Sequence, residues 1–171
     1  LQRYETLKYR QFDKLTDKQL GFFWRPEEVD VLRDSKDFKE LTEYEQHIFT
    51  SNLKRQIVLD SVQGRSPNLA FLPLASIPEL ETWIETWAFN ETIHSRSYTH
   101  IIKNVYSDPS EVLDHILDDD KIIERAKTVT QHYDTFVEIA NDYAMGKVEM
   151  REVKKKLFLS MMNVNILEGL R

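Results

Sequence analysis

The 171-residue sequence contains no cysteine, which excludes disulfide bridges, thiolate metal sites and a cysteine nucleophile. It also lacks a basic excess, since its net charge is −6. Phosphate-backbone binding requires surplus lysine and arginine, so we expect no nucleic-acid partner. The absence of cysteine fits a reducing compartment, and we expect a cytoplasmic protein.

Long apolar runs are missing as well. The longest run, residues 69–77, is interrupted by Pro73 and is too short to cross a bilayer, and no signal peptide is visible. We therefore expect no membrane partner. The sequence begins at Leu1 and ends at Arg171 inside helical patterns, and we expect that both ends are cut.

Residues that break helices are scarce, with four glycines and five prolines, and helical periodicity dominates the chain. We predict an all-α bundle in a single domain. The first helix is predicted over about residues 5–23, ended by Pro26. Its inward residues are expected to be Leu7, Phe12, Leu15, Leu20 and Phe23.

Three N-terminal signals place the middle helices. Thr42 and Glu45 form a capping box for a helix to Gln63, which Gly64 ends in the left-handed conformation. After a loop over residues 65–75, a second capping box at Ser76 and Glu79 opens a long helix to about residue 106. An Asp-Pro start at residues 108–109 opens a short helix to about 117. Further helices are predicted over about 120–144 and from about 150 onward, separated by a break at Gly146.

The long helix carries the first candidate site. Trp87, Glu91, His94 and Tyr98 fall within roughly a 60° sector of that helix, so they share one face. Glu91 and His94 form the only Glu-x-x-His pair in the sequence. That spacing aims a carboxylate and an imidazole at one point, as a helical metal site requires. Alone, the pair is better explained by an exposed glutamate beside a partly satisfied histidine than by a metal site.

Two further acids interrupt apolar stripes on other helices. Asp60 follows Leu53 and Ile57 at core spacing, and Glu168 follows an apolar stripe on the last helix. A carboxylate in such a stripe is costly unless it is paired or bound to metal. Carboxylate-bridged di-iron bundles take a carboxylate from each of two helices and a Glu-x-x-His from each of the other two. Three of these four contributions are present, and oxygen with imidazole ligands suits iron or manganese.

Three stretches resemble the small, radical-generating subunit of class Ia ribonucleotide reductase: FFWRPEE at residues 22–28, LDSVQGRSP at 59–67 and WAFNETIHSRSY at 87–98. The resemblance covers nearly the whole chain. It implies a ferritin-like di-iron bundle that uses a tyrosyl radical in deoxyribonucleotide synthesis, as the small subunit of a ribonucleoside-diphosphate reductase. It also implies a homodimer that works with a large catalytic subunit.

The resemblance assigns roles to individual residues. Asp60, Glu91, His94 and Glu168 would be metal ligands, with two irons in a full-length subunit and manganese as an alternative metal. Tyr98 would hold the radical. Trp24 would relay an electron into the site and pass the radical toward the large subunit.

The sequence departs from the family pattern at one important point. A second Glu-x-x-His has no counterpart within residues 1–171. We therefore interpret the chain as a single partial domain that lacks the last ligand-bearing helix. We expect that this fragment alone is inactive and holds neither a stable di-iron cluster nor a radical.

Two other interpretations remain open from the residues alone. One is a different di-metal oxidase or oxygenase on the same ferritin-like fold, which explains the carboxylate and histidine pattern but gives no reason for Tyr98. The other is a non-catalytic helical bundle in which Asp60 and Glu168 are incidental.

Overall fold

The computed structural model describes residues 1–170, with the side chains of Glu168 and Leu170 left out of the description. Within these residues the chain is helical and has no β-strand, which confirms the all-α prediction. None of the described helices is both long and apolar enough to pass through a membrane. The α-helices are α1 Arg10–Gly21, α2 Asp34–Glu40, α3 Glu43–Gln63, α4 Ser66–Ala70, α5 Pro78–Val105, α6 Ser110–Leu113, α7 Asp120–Ala144 and α8 Met150–Leu170.

The four longest helices form the bundle. Helix α5 packs against α1 and α3, and α7 packs against α3 and α8. The largest core cluster joins side chains of α3, α5, α7 and α8 around Phe71, which follows α4. A cavity of about 630 Å³ lies between α1, α5 and α8 and is lined mainly by apolar and aromatic side chains.

Two sequence signals act as predicted. Thr42 accepts a hydrogen bond from the backbone N–H of Glu45, and the Glu45 carboxylate accepts one from the Thr42 N–H, so the capping box of α3 is complete. A hydrogen bond from the Thr42 hydroxyl to the Glu45 carboxylate, together with the one from the Thr42 N–H, holds the pKa of Glu45 below its usual value. Gly146 has a φ of +71°, in the left-handed region that glycine adopts without strain, and it separates α7 from α8.

The first helix is shorter than predicted. Helix α1 begins at Arg10 because the preceding residues run along the start of α5 instead of coiling. Gln2 and Tyr4 bond to side chains of α5, and the backbone N–H groups of Lys8 and Tyr9 both donate to the carboxylate of Glu79.

The prediction of inward-facing Leu15, Leu20 and Phe23 was wrong, since all three are exposed and Thr16 is the buried residue of α1.

The same contact explains the failure of the second capping box. The N-cap of α5 is Ile77 and makes no side-chain cap bond, because Glu79 is occupied by the N-terminal segment. Gly64 was also predicted wrongly, since its φ of −67° is right-handed and the chain turns directly into α4. A Cβ there would lie 3.2 Å from the backbone oxygen of Asp60 and 3.8 Å from Glu91 Cβ, an ordinary contact distance, so α3 and α5 lie close together at this point.

Candidate metal centre

Three of the predicted ligands lie together between α3 and α5. One ligating atom from each of Asp60, Glu91 and His94 falls within 4.8 Å of the others. His94 Nδ1 lies 3.1 Å from Glu91 Oε2 and 3.8 Å from Asp60 Oδ2. This is the one such group of metal-ligating side chains in the part of the chain that the structure describes.

The local structure explains the convergence. Glu91 and His94 are brought together by the three-residue spacing on α5, and Asp60 stands in the last turn of α3. Glu91 is buried, Asp60 is partly buried, and His94 has the most accessible side chain of the three. The arrangement therefore places two shielded carboxylates beneath an imidazole that solvent can reach.

The fourth predicted ligand, Glu168, lies outside the described side chains. Its helix is described, and the neighbouring Val164 and Leu167 are buried in the main core cluster. Met161, seven residues before Glu168 and so about two turns earlier, is half exposed and lines the 630 Å³ cavity together with Glu91. The assignment of Glu168 as a ligand stays a prediction.

Tyr98 is hydrogen-bonded to the cluster. Its hydroxyl donates to Asp60 Oδ2 at 2.7 Å, and its ring is partly buried against the second core cluster beside Leu53 and Ile102. The phenol thus has an acceptor for its proton on a residue of the candidate metal centre. Its role as a radical carrier stays a prediction.

Trp24 lies in the extended segment between α1 and a 3-10 turn at residues 26–28, and its exposed fraction is 36%. The flanking Phe23 stacks on Phe89, and Glu27 Oε1 lies 3.8 Å from Arg96 Nη2.

Phe89 and Arg96 occupy a different face of α5 from Glu91 and His94. The indole of Trp24 makes no hydrogen bond within residues 1–170, and its relay role stays a prediction.

Two polar neighbours of the centre were given no role by the sequence. Trp87 Nε1 donates to Glu91 Oε1 at 2.9 Å, which the four-residue spacing on one helix face could have indicated. Gln63, one turn after Asp60, is fully buried and accepts a 2.7 Å hydrogen bond from Tyr133 of α7. Its partner comes from a distant helix, so sequence spacing carries no signal for that contact.

The cluster offers the ligands that a hard or borderline cation prefers. Two carboxylates and one imidazole suit iron or manganese, whereas thiolate-selecting metals find no ligand in a chain without cysteine. The hydrogen bonds from Trp87 and Tyr98 fix the orientation of both carboxylates, as outer hydrogen bonds commonly do in metal sites. The donor set therefore fits a di-metal carboxylate site for which it supplies part of the ligands.

Comparison with known proteins places this geometry in context. The family model described as "Ribonucleotide reductase, small chain" matches residues 2–170. The chain is 56% identical to the "Ribonucleoside-diphosphate reductase 1 subunit beta" of Escherichia coli O157:H7, covering 99% of this chain and 48% of that protein. It is 41% identical to the subunit beta of Enterobacteria phage T4, covering 100% of this chain and 49% of that protein.

A solved structure agrees in fold. The ribonucleotide reductase R2 subunit from Clostridium botulinum superposes with a TM-score of 0.79 at 27% identity, covering 99% of this chain and 50% of that one. The chain thus spans about half the length of the curated relatives it matches.

Proposed function

Because the chain belongs to the ribonucleotide reductase small-chain family, we propose that it forms part of the small subunit of a ribonucleoside-diphosphate reductase. In this proposal Asp60, Glu91 and His94 hold metal, and Tyr98 is the residue that is oxidised to a radical. The observation that carries the proposal is the 2.7 Å hydrogen bond from Tyr98 to a carboxylate of the three-residue cluster. Neither a different di-metal oxidase nor a non-catalytic bundle accounts for that bond together with a family match over residues 2–170.

Family membership supports a di-metal site, and we propose iron as its metal, with manganese as the alternative. Asp60, Glu91 and His94 would hold metal at the three-residue cluster. Glu168 is proposed as a ligand of the second ion. When bound, the metal would supply the oxidising power for removing an electron from Tyr98.

The proton that Tyr98 loses in that step has an acceptor within the chain. Tyr98 already donates to Asp60, so loss of an electron from the phenol can be accompanied by movement of its proton along an existing hydrogen bond. Partial burial of the ring restricts solvent access to the oxidised residue. Trp24 is proposed to pass the radical toward the large subunit, on the strength of the family resemblance.

We further propose that the complete subunit forms a homodimer and works with a large catalytic subunit that reduces ribonucleoside diphosphates. The family membership supports both partners.

A chimera tests the proposed function. Residues 2–170 would replace the matching segment of the Escherichia coli subunit, which is 56% identical. After loading with ferrous iron and oxygen, we expect a tyrosyl signal in the electron paramagnetic resonance spectrum and reductase activity with the bacterial large subunit. Tyr98→Phe should abolish both while leaving the iron content unchanged.

Tyr143→Phe is the matched control, since Tyr143 is an exposed tyrosine on α7. It should retain radical and activity. A chimera that binds iron but gives the same radical with Tyr98→Phe would refute the assignment.

The chain by itself should behave differently from the chimera. Its described side chains gather one group of three ligands, enough for a single ion with water completing the shell. Titration with Mn²⁺, followed by loss of the free-ion signal, should give about one ion per chain, removed by Asp60→Asn and retained by Glu85→Gln on the exposed face of α5. Two irons per chain with a tyrosyl signal would overturn this expectation.

A further inference from the structure

A second cavity, of about 620 Å³, lies between α3 and the first turns of α7 and shares no residue with the candidate metal centre. Its lining includes three permanent cations, Arg55 from α3 and Lys121 and Arg125 from α7. This is a local concentration of positive charge in a chain whose net charge is −6.

None of these three cations has a carboxylate within 4.0 Å among the residues that the structure describes. Lys121 and Arg125 are four residues apart on one helix face, where like charges repel and destabilise the helix. The Nε atom of Arg55 is inaccessible to solvent and has no hydrogen-bond partner in the described part of the chain. A buried donor left in this state is costly, and it belongs to a residue that lines the cavity.

The cavity lining contains one acidic residue, Asp119, whose position limits how far it neutralises the three cations. Asp119 uses a carboxylate oxygen to accept hydrogen bonds from the backbone N–H groups of Lys121 and Ile122. It therefore serves as the N-cap of α7 and makes no ion pair with the cations. With Asp119 counted, the three cations leave the cavity with a net charge of +2, before any charge on His47.

We propose that this cleft, formed by Arg55, Lys121 and Arg125, binds a phosphate group. A phosphate monoester carries up to two negative charges and three strong acceptor oxygens, which match the net charge and the guanidinium donors. Two arginines favour phosphate because each guanidinium presents a planar fork of donors. Ser51 and Asn52 add polar groups to the lining.

The cleft is larger than one phosphate needs, and Ile48 and Ile122 give it an apolar part. Its volume lies within the usual range for small-molecule sites. The phosphate could therefore be free or carried on a larger molecule such as a nucleotide, and the experiment below separates these sources.

The test is a titration of the ¹⁵N-labelled 171-residue chain with inorganic phosphate and, separately, with adenosine monophosphate, at constant ionic strength set with sodium chloride. We expect saturable shifts of the Arg55 Nε–H signal and of the amides at the start of α7. A tighter response to the nucleotide identifies a phosphate carried on a larger molecule, and equal affinities identify the free ion. The absence of saturable shifts with both anions refutes the site.

Three variants make the test specific. Arg55→Gln and Arg125→Gln should each weaken phosphate binding by about tenfold or more, whereas Lys127→Gln removes the same charge from α7 outside the cleft and should bind as the parent chain does. Arg125 is exposed, so its variant stays folded if Arg55→Gln does not. Anion-free Arg125→Gln should be no less stable than the parent, because it relieves repulsion. Parent-like binding by Arg125→Gln, or an equal loss with Lys127→Gln, would overturn the proposal.

Discussion

Removing one hydroxyl tests whether the bond between Tyr98 and Asp60 holds the metal-free centre together. In Tyr98→Phe the ring keeps its packing beside Leu53 and Ile102, and only the 2.7 Å hydrogen bond to Asp60 Oδ2 is lost. Asp60 then stays partly buried with one hydrogen bond fewer. We therefore expect the variant to be less stable than the parent chain when no metal is present.

The size of the loss follows from the type of bond. A hydrogen bond to a charged acceptor contributes about 1.5–3 kcal/mol, and partial solvent access to Asp60 places this one near the lower end, at about 1.5 kcal/mol. For a chain of this length, that loss lowers the melting temperature by roughly 3–6 °C. Tyr143→Phe removes an exposed hydroxyl that has no hydrogen bond among the described residues, and should change the melting temperature by less than about 1 °C.

The assay is thermal unfolding in the presence of a chelator, followed by circular dichroism, on Tyr98→Phe, Asp60→Ala and the double variant. If the two side chains stabilise each other, the double variant should lose about 1 kcal/mol less than the sum of the single losses. Additive losses, or a Tyr98→Phe variant as stable as Tyr143→Phe, would show that the hydrogen bond contributes nothing to the folded centre.

Three other predictions concern the frame around the site. The hydrogen bond from the Tyr9 N–H lowers the pKa of the Glu79 carboxylate, so this carboxylate stabilises the fold above the usual glutamate pKa, and the parent chain loses that stability as the pH falls through the lowered value. Glu79→Gln should therefore be less stable than the parent at neutral pH and should lose less stability in acid. Unfolding measured from neutral to acid pH checks both outcomes. Gly64→Leu should push α3 away from Glu91 and weaken Mn²⁺ binding, whereas Gly21→Leu, in open space, should leave binding unchanged. Unchanged Mn²⁺ binding in both variants would show that the close approach of α3 to Glu91 at Gly64 does not support the metal centre. Gly146→Ala should destabilise the chain by about 1 kcal/mol because its φ is positive, and an unchanged denaturation midpoint would contradict that reasoning.

Local signals in the sequence predicted much of the helical frame. The capping box at Thr42 and Glu45, the break at Gly146 and the start of the helix near residue 120 depend on groups within four residues of one another. Interactions of that range form whatever the rest of the chain does, so they can be predicted from sequence. The shared face of Glu91 and His94 belongs to the same class, because helix geometry alone fixes it.

Predictions failed where a distant segment competed for a local group. The sequence offered Glu79 to Ser76 as a capping partner, and the structure gives it to the backbone of residues 8 and 9. The same contact holds the N-terminal segment extended and shortens α1. The prediction for Gly64 failed because the chain continues with right-handed backbone geometry into α4, so no left-handed residue is needed there.

The all-α class, the positions of the long helices and the residue types able to hold a hard metal ion follow from the residues in chain order. The contacts of Asp60 with Glu91 and His94, the hydrogen bond from Tyr98 to Asp60, and that from Tyr133 to Gln63 come from the packing of the helices. The reason is the range of the forces. Caps and helix faces are set within one or two turns, whereas a contact between helices depends on how whole apolar faces pack, and no spacing within one helix encodes that distance.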